Sequence, residues 1–311
     1  MRSVVLSIFL VGCGAAPLHR MAVLHNARGV DHLAHGRVEE AEARFRLATE
    51  YNEDFAEPWN NLGLVAMREA RSSEAERYLR KAISLNRDFA EAWNNLGVLV
   101  LGRGDVRRAE RSFRRAISIN PGFANARGNL ARILLLRGDP EAARDEYRLL
   151  VAVVPTSADA HAGLAWAAYL CGDDSEAMDA ANRAIELDPS AAEPLRIRGQ
   201  VRVRRGDAPG AQSDLEAAKR RAPDDPEVAL QLAVTRALAG DAAGAEAELC
   251  ALLATRPEHA RALFALATVR AAGGRNAEAA GLVRRALRAR PHYPEAQRLL
   301  RRLAAVRATS P

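Results

Sequence analysis

Aromatic residues are scarce in this sequence, making up only 5% of its 311 residues, and lysine occurs only twice, as Lys81 and Lys219. A core built mainly from large rings is therefore excluded, and alanine and leucine must do most of the packing in a chain that is 49% apolar. Arginine supplies nearly all of the positive charge of a chain whose net charge is +6. Glycine and proline recur without clustering, so no long flexible linker divides the chain.

The motifs of common catalytic and cofactor sites are also missing. The sequence has no G-x-S-x-G, no H-E-x-x-H and no glycine-rich loop that ends in Lys-Ser or Lys-Thr. Cys171 and Cys250 have no CxxC or histidine-spaced companion, which argues against a metal site, a redox site and a mutual disulfide. His25, His32 and His35 could converge on one side of a helix, but no carboxylate or cysteine joins them at matching spacing. We expect no enzymatic activity, no metal and no cofactor.

A repeat of fixed length organises the chain. The stretches "AEPWNNLG" at Ala56 and "AEAWNNLG" at Ala90 lie 34 residues apart, and the same period continues in both directions without insertion or deletion. It gives eight repeats, which start at residues 22, 56, 90, 124, 158, 192, 226 and 260. Apolar residues recur at positions 4, 7, 8 and 11 and at positions 20, 24, 27 and 28 of the repeat, which is helical spacing. Each repeat is therefore predicted to contain two helices.

The ends of the helices are marked by residue type. Position 15 is Gly in seven repeats and is predicted to stop the first helix in the left-handed conformation. Position 16 is Asp in five repeats, which predicts an N-cap for the second helix, and Asp173 with Glu176 has the spacing of a capping box. Position 32 is Pro in six repeats and ends the second helix. Position 8 is always Gly or Ala and position 20 is always Ala, which lets the helices approach closely.

The period, the later alanines and the W-x2-L-G motif of Trp59, Leu62 and Gly63, repeated at Trp93, resemble the tetratricopeptide repeat. The resemblance covers residues 22–293 and implies an all-α, right-handed α-solenoid of eight 34-residue helix pairs. In the first repeat His25, Arg28 and His32 replace apolar residues, so we expect it to act as an N-terminal cap. Residues 294–306 are predicted to form a C-terminal capping helix, followed by a tail at 307–311.

The resemblance also implies a concave groove lined by positions 2, 5, 6, 9, 12 and 13 of the first helices. Amide and apolar side chains at these positions are candidates for binding a partner peptide. They are Asn60, Asn61, Asn94, Asn95, Asn129, Leu64 and Leu101, with Trp166 and Tyr169 as partner anchors. The asparagines have an alternative explanation, because Asn at this position belongs to the general repeat consensus and can bond to a neighbouring helix.

Arginine recurs at position 11 of three successive repeats, as Arg202, Arg236 and Arg270. Such a stripe could bind carboxylates or phosphates, or each side chain could extend past its apolar stem to water. From residue 260 onward the sequence has eleven arginines and only two acidic residues, Glu278 and Glu295, which gives this segment a net charge of +9. This excess reflects either a composition bias or a basic surface that attracts anionic lipid, polymer or an acidic protein.

The first residues have the order of an export signal. Arg2 is followed by an apolar run from Val4 to Val11, which is too short to span a bilayer permanently. Leu10 to Cys13, "LVGC", resembles the lipobox of bacterial lipoprotein precursors. The resemblance implies a signal peptide at 1–12, lipidation of Cys13, a short tether at 13–21, and a place on the periplasmic face of the outer membrane. The alternative is translation from Met21 and a cytoplasmic product.

The sequence thus predicts a non-enzymatic scaffold that holds a protein partner by an extended segment or helix. Its layout resembles that of pilotin-type lipoproteins, which assist the outer-membrane secretins of type IV pili. An adaptor for cell-wall hydrolases or polysaccharide export is an alternative, as is a cytoplasmic assembly or regulatory module if translation starts at Met21. Nucleic-acid binding is disfavoured, because no aromatics are interleaved with the arginines and the chain is predicted to be exported. The sequence leaves the oligomeric state open.

Overall fold

The computed structural model describes residues 19–309, and the regular structure of that range is entirely α-helical. Its helices are α1 (Arg20–Ala34), α2 (Val38–Tyr51), α3 (Ala56–Arg68), α4 (Ser72–Leu85), α5 (Ala90–Gly102), α6 (Val106–Ile119), α7 (Ala124–Leu136), α8 (Pro140–Val153), α9 (Ala158–Cys171), α10 (Asp174–Leu187), α11 (Glu193–Arg204), α12 (Ala208–Arg221), α13 (Pro226–Leu238), α14 (Ala242–Thr255), α15 (Ala260–Ala272), α16 (Asn276–Ala289) and α17 (Pro294–Thr309). The predicted signal peptide and the predicted lipidation site, Cys13, lie outside the described residues. Contacts divide the chain into two units, and the boundary between them in the sequence falls within α7, between Leu130 and Ala131.

The helices form consecutive pairs, as the predicted fold class requires. Odd-numbered helices up to α15 are the first helices of the repeats, and even-numbered helices are the second. Within each unit a first helix packs against its own second helix and against the first helix of the next repeat. Second helices of neighbouring repeats are not among the packed pairs in either unit, as far as the structure describes them. Within each unit, the first helices therefore form one face, and gaps open between the second helices.

The interior is built on the small residues that recur in the sequence. The alanines at position 20 are fully buried in all eight repeats. Where position 8 is glycine, the large residue at position 24 lies directly against it, because a Cβ on Gly29 or Gly97 would stand 2.5 Å from the ring of Phe45 or Phe113. Leu79 and Leu215 lie in the same way against Gly63 and Gly199. The missing Cβ thus makes room for the large core side chain at position 24.

The turns between paired helices follow the predicted chemistry. The seven glycines at position 15 have φ between 75° and 88°, the left-handed region. The five aspartates at position 16 each accept a hydrogen bond from the backbone N–H of the residue three places on. The capping box predicted at Asp173 is only half formed. The Glu176 carboxylate accepts from Arg148 Nε at 2.6 Å, whereas the N–H of Asp173 donates to the carbonyl of Ala168.

One repeat lacks the glycine at this turn, and Ala70 takes the left-handed conformation with φ 58°. A Cβ costs about 1 kcal/mol in this region, so we expect Ala70→Gly to stabilise the protein by about 0.5–1 kcal/mol. Urea unfolding followed through Trp59 and Trp93 would measure this gain. Ala43→Gly, at an exposed position inside α2, should instead destabilise by about 1 kcal/mol. An unchanged or lower urea midpoint for Ala70→Gly would contradict the prediction.

The last helix covers the end of the array, as the sequence predicts for a terminal element. In α17, Ala296 and Leu303 are buried, and Leu299 and Leu300 pack against the apolar cluster of the last two repeats. The helix continues to Thr309, past the predicted end at residue 306. Among residues 19–309, no helix combines the length and the apolar character needed to cross a membrane.

Candidate functional site

The asparagines predicted to face a guest peptide form a chain of hydrogen bonds along the first helices of unit 1. At position 6 of three repeats, the amide donates to the position 5 asparagine of the preceding repeat. These bonds are Asn61 to Asn26 at 2.9 Å, Asn95 to Asn60 at 2.9 Å, and Asn129 to Asn94 at 3.1 Å. Asn60 and Asn94 in turn donate to Asn61 and Asn95, both at 3.4 Å.

This amide chain gives the asparagines a role in repeat packing. Asn60 and Asn94 are buried, and a buried amide without a partner would cost about 1–3 kcal/mol. The hydrogen bonds between repeats satisfy these groups and join one first helix to the next. Asn61, Asn95 and Asn129 remain half-buried, as do Leu64 and Leu101. Recognition of a partner peptide by these residues stays a prediction.

The predicted aromatic anchors lie in a packed cluster of unit 2. The rings of Trp166 and Tyr169 stack with their centroids 5.4 Å apart. Two guanidinium groups of α11 cover them, that of Arg196 at 5.0 Å from the centre of the Trp166 ring and that of Arg204 at 3.9 Å from the centre of the Tyr169 ring. Arg204 also donates to the carbonyl of Tyr169. These contacts join neighbouring first helices and leave both rings half-buried.

The three arginines at position 11 each have carboxylate partners within the chain. Arg202 pairs with the buried Asp214 at 2.9 Å. Arg236 pairs with Glu216 and Glu248, both at 3.2 Å, and Arg270 pairs with Glu246 and Glu278, both at 3.0 Å. The guanidinium groups therefore neither reach only into water nor stand without partners in the chain. The stripe's affinity for an external anion stays a prediction.

An apolar cavity of about 500 Å³ opens on the first-helix face of unit 2. It lies between α13 and α15, and most of its wall residues occupy positions that the family resemblance assigns to the groove. Its main apolar lining is Leu230, Val234, Leu238, Phe264 and Tyr293. Leu238 is 67% exposed and Val234 is 36% exposed, so the cavity presents apolar surface to solvent. Apolar surface of this kind on a concave site is suited to bind an apolar side chain.

Polar groups line one edge of this cavity. The Glu227 carboxylate accepts a hydrogen bond from Gln231 of α13 at 3.0 Å and one from Arg261 of α15 at 2.8 Å. The rings of Phe264 and Tyr293 meet with centroids 5.0 Å apart. Burial raises the pKa of the Tyr293 hydroxyl above its ordinary value, so the group is a neutral donor at physiological pH. The cavity thus combines an apolar floor with a few fixed polar groups.

This cavity was not predicted, although the groove positions of the last two repeats contain Val234, Leu238 and Phe264. These apolar residues do not form a series of one residue type, unlike the asparagines at position 6 and the arginines at position 11. Tyr293 closes the cavity from beyond α16, and the periodic pattern gives no indication of that contact.

The histidines considered as a metal site are engaged separately. His25 is buried and stacks on Tyr51 with centroids 5.4 Å apart, and its burial lowers its pKa. His32 accepts from Arg37 at 2.8 Å, and His35 bonds to the carbonyl of Asp31. Among the described residues, no three His, Cys, Asp or Glu side chains form a cluster able to hold a metal ion. Cys171 and Cys250 are free thiols.

Comparison with known families agrees with this architecture. One model of the tetratricopeptide repeat matches residues 26–72, 60–122 and 148–192, and a second matches residues 100–155 and 236–303. Together they cover well over half of the chain. The chain is a tetratricopeptide repeat protein. No curated protein sequence matches it.

Solved structures share the tetratricopeptide fold at low sequence identity. A chain of the APC/C hetero-tetramer Cut9-Hcn1 aligns over 90% of this chain with 15% identity and a TM-score of 0.67. This chain spans 55% of that relative's length. PilF of Pseudomonas aeruginosa aligns over 67% of this chain and 95% of its own, with 19% identity and a TM-score of 0.61. YrrB, described as having an unusual peptide-binding site, aligns over 59% of this chain and 95% of its own, with 20% identity and a TM-score of 0.53. These similarities show the all-α solenoid fold and nothing further.

Proposed function

We propose that this tetratricopeptide repeat protein is a non-enzymatic scaffold that binds a protein partner through its first-helix face, with the apolar cavity between α13 and α15 as the principal contact. The observation that carries the proposal is the exposure of Leu238 and Val234 beside a cavity of about 500 Å³. In the other predicted contacts, the amides and aromatic rings are already engaged within the chain. An amphipathic helix or extended segment with one large apolar residue fits such a cavity.

The test compares two charged variants in the same unit. Val234→Asp/Leu238→Asp places carboxylates in the cavity, and Leu149→Asp/Val153→Asp makes the same changes at exposed positions of the second helix α8. Proteins captured from detergent-solubilised envelopes would be quantified by mass spectrometry with wild type and both variants. We expect the cavity variant to lose its captured partner by at least about tenfold, because an unpaired charge is costly to bury, while the control retains it.

The captured partner should then bind the purified wild-type chain directly, with the same dependence on Leu238. Circular dichroism would confirm that both variants are helical to the same extent as wild type. Equal retention by the two variants, or equal loss, would contradict a binding site at the cavity.

The proposed setting of the scaffold is the bacterial outer membrane, with the lipidated Cys13 as its anchor and an envelope assembly such as a type IV pilus secretin as its context. The support is the Leu10–Cys13 pattern in the sequence. The fold that this chain shares with PilF is compatible with this setting but does not identify the partner. The alternative role, as an adaptor for cell-wall hydrolases or polysaccharide export, is supported by the same layout of an export signal followed by repeats. Mass spectrometry of the native N-terminus decides between a diacylated Cys13 and a start at Met21.

A further inference from the structure

A second cavity, of about 730 Å³, lies on the second-helix side of unit 1. It occupies the gap between α4 and α6, two second helices that are not packed against each other. Trp93 and Leu96 of α5 line it, together with Ile83 of α4. We call it the α4–α6 cavity. It is separate from the first-helix face on which the proposed function rests.

The α4–α6 cavity is lined by an unusual concentration of positive charge. Its arginines are Arg80, Arg87, Arg108, Arg111 and Arg115. Arg80 and Arg108 share one carboxylate, that of Glu76, at 2.8 and 2.7 Å. Arg115 pairs with the exposed Asp88 at 2.8 Å.

Arg87 and Arg111 differ from the other three. Both are exposed, and neither forms an ion pair with a carboxylate among residues 19–309. Two unpaired guanidinium groups at the edge of one cavity repel each other and their arginine neighbours. An anionic group bound between them would remove this repulsion.

The equivalent cavity in unit 2 shows that the charge is not a requirement of the fold. That cavity lies between α8 and α10 and has a volume of about 520 Å³. Glu176 and Asp179 stand there at the repeat positions that Arg108 and Arg111 occupy in unit 1. Glu176 pairs with Arg148 at 2.6 Å, so the charges of the unit 2 cavity offset each other. The cavity between α8 and α10 in unit 2 therefore has balanced charges, whereas the α4–α6 cavity in unit 1 is strongly basic.

The floor of the α4–α6 cavity is apolar. The Trp93 ring is half-buried and held in place, because its Nε1–H donates to the carbonyl of Arg87 at 3.0 Å. Ile83 is half-buried beside it. A small inorganic anion would contact the arginines and leave this apolar surface unused. A peptide with a carboxylate on each side of an apolar residue would contact the arginines and the apolar surface together.

We propose that the α4–α6 cavity binds an acidic peptide segment in which a leucine-sized side chain, flanked by Asp or Glu, lies on Trp93 while the carboxylates pair with Arg87 and Arg111. Guanidinium groups suit this ligand, because their planar donors bond a carboxylate through two parallel hydrogen bonds. The site is exposed at its edge, so its affinity falls as salt rises.

The test uses a fluorescein-labelled peptide, Glu-Glu-Leu-Glu-Glu, and its glutamine counterpart, with the full chain at low salt. We expect Arg87→Gln/Arg111→Gln to weaken binding of the acidic peptide by about tenfold, the effect of about 1.4 kcal/mol. The control Arg68→Gln/Arg107→Gln removes the same charge from exposed arginines outside the cavity and should leave binding within about twofold of wild type. Because Arg87 and Arg111 have no ion-pair partner to lose, both variants should remain folded.

A third variant replaces Arg111 by the residue that occupies the equivalent repeat position in the unit 2 cavity. Arg111→Asp copies Asp179 of the unit 2 cavity and should abolish binding of the acidic peptide. Equal weakening by the cavity and control variants would overturn the proposal, as would equal affinity for the glutamine peptide. Inorganic phosphate and vesicles that contain phosphatidylglycerol are run in parallel. Binding of either one that depends on Arg87 and Arg111, without binding of the acidic peptide, would also overturn it.

Discussion

Gly97→Ala is expected to destabilise the protein by about 1–3 kcal/mol, although alanine favours a helix interior over glycine by about 1 kcal/mol. The added Cβ would stand 2.5 Å from the ring of Phe113, which is fully buried and cannot move aside without displacing its neighbours. Overpacking therefore outweighs helix propensity. Urea unfolding followed by the fluorescence of Trp59 and Trp93, which both lie in unit 1, would measure the loss.

The control for this variant is in the same helix. Gly102→Ala adds a Cβ with no atom within 4 Å, so it should leave stability unchanged or raise it slightly. A second substitution tests the cause. Phe113→Leu in the Gly97→Ala chain recreates the pair formed by Ala233 and Leu249 in a later repeat, where both residues are buried. We expect the double variant to lie within about 1 kcal/mol of wild type, with a favourable coupling energy of about 1 kcal/mol or more.

The architecture could be predicted from the sequence because every repeat contains the same spacing of small and large residues. Gly97 and Phe113 illustrate this, since their positions in the repeat already imply close contact between the two helices. The turn glycines and the capping aspartates were equally predictable, because each depends on a local backbone requirement. The half-formed capping box at Asp173 was not, because Arg148 of the preceding repeat takes the Glu176 side chain.

The candidate site was less predictable, because it depends on which side chains find partners across repeats. The asparagine series was visible in the sequence, but the sequence could not show that Asn95 bonds to Asn60 of the preceding repeat. The arginine at position 11 was visible too, but its carboxylate partners lie on second helices 8 to 24 residues away. Periodicity therefore locates faces and helices, while the ion pairs and cavities on those faces depend on residues that do not repeat.

Asp214 is a buried carboxylate of unit 2 that two arginines share. Asp214 accepts two hydrogen bonds from Arg198, at 2.9 and 2.7 Å, and pairs with Arg202 at 2.9 Å. Its side chain is only 5% exposed, whereas the two arginine side chains are 20% and 28% exposed. We expect Asp214→Ala to destabilise unit 2 by about 2–4 kcal/mol, because two partly buried guanidinium groups lose their shared counter-ion.

Chemical unfolding of the full chain, followed by the fluorescence of Trp166 in unit 2, measures this loss. The control is Glu186→Ala, which breaks an exposed pair with Arg183 and should cost less than about 0.5 kcal/mol.

Salt separates the buried pair of Asp214 from the exposed pair of Glu186, because a buried pair is screened little. The Asp214→Ala loss should persist in 0.5 M salt, at roughly the size seen at low salt. Replacing all three groups, as Arg198→Met/Arg202→Met/Asp214→Leu, should recover part of the stability, since neither the carboxylate nor an arginine that has lost it then remains. If Asp214→Ala cost no more than Glu186→Ala, the arginines would be hydrated rather than held by this carboxylate, and the ion pairs between α11 and α12 would contribute nothing to the stability of unit 2.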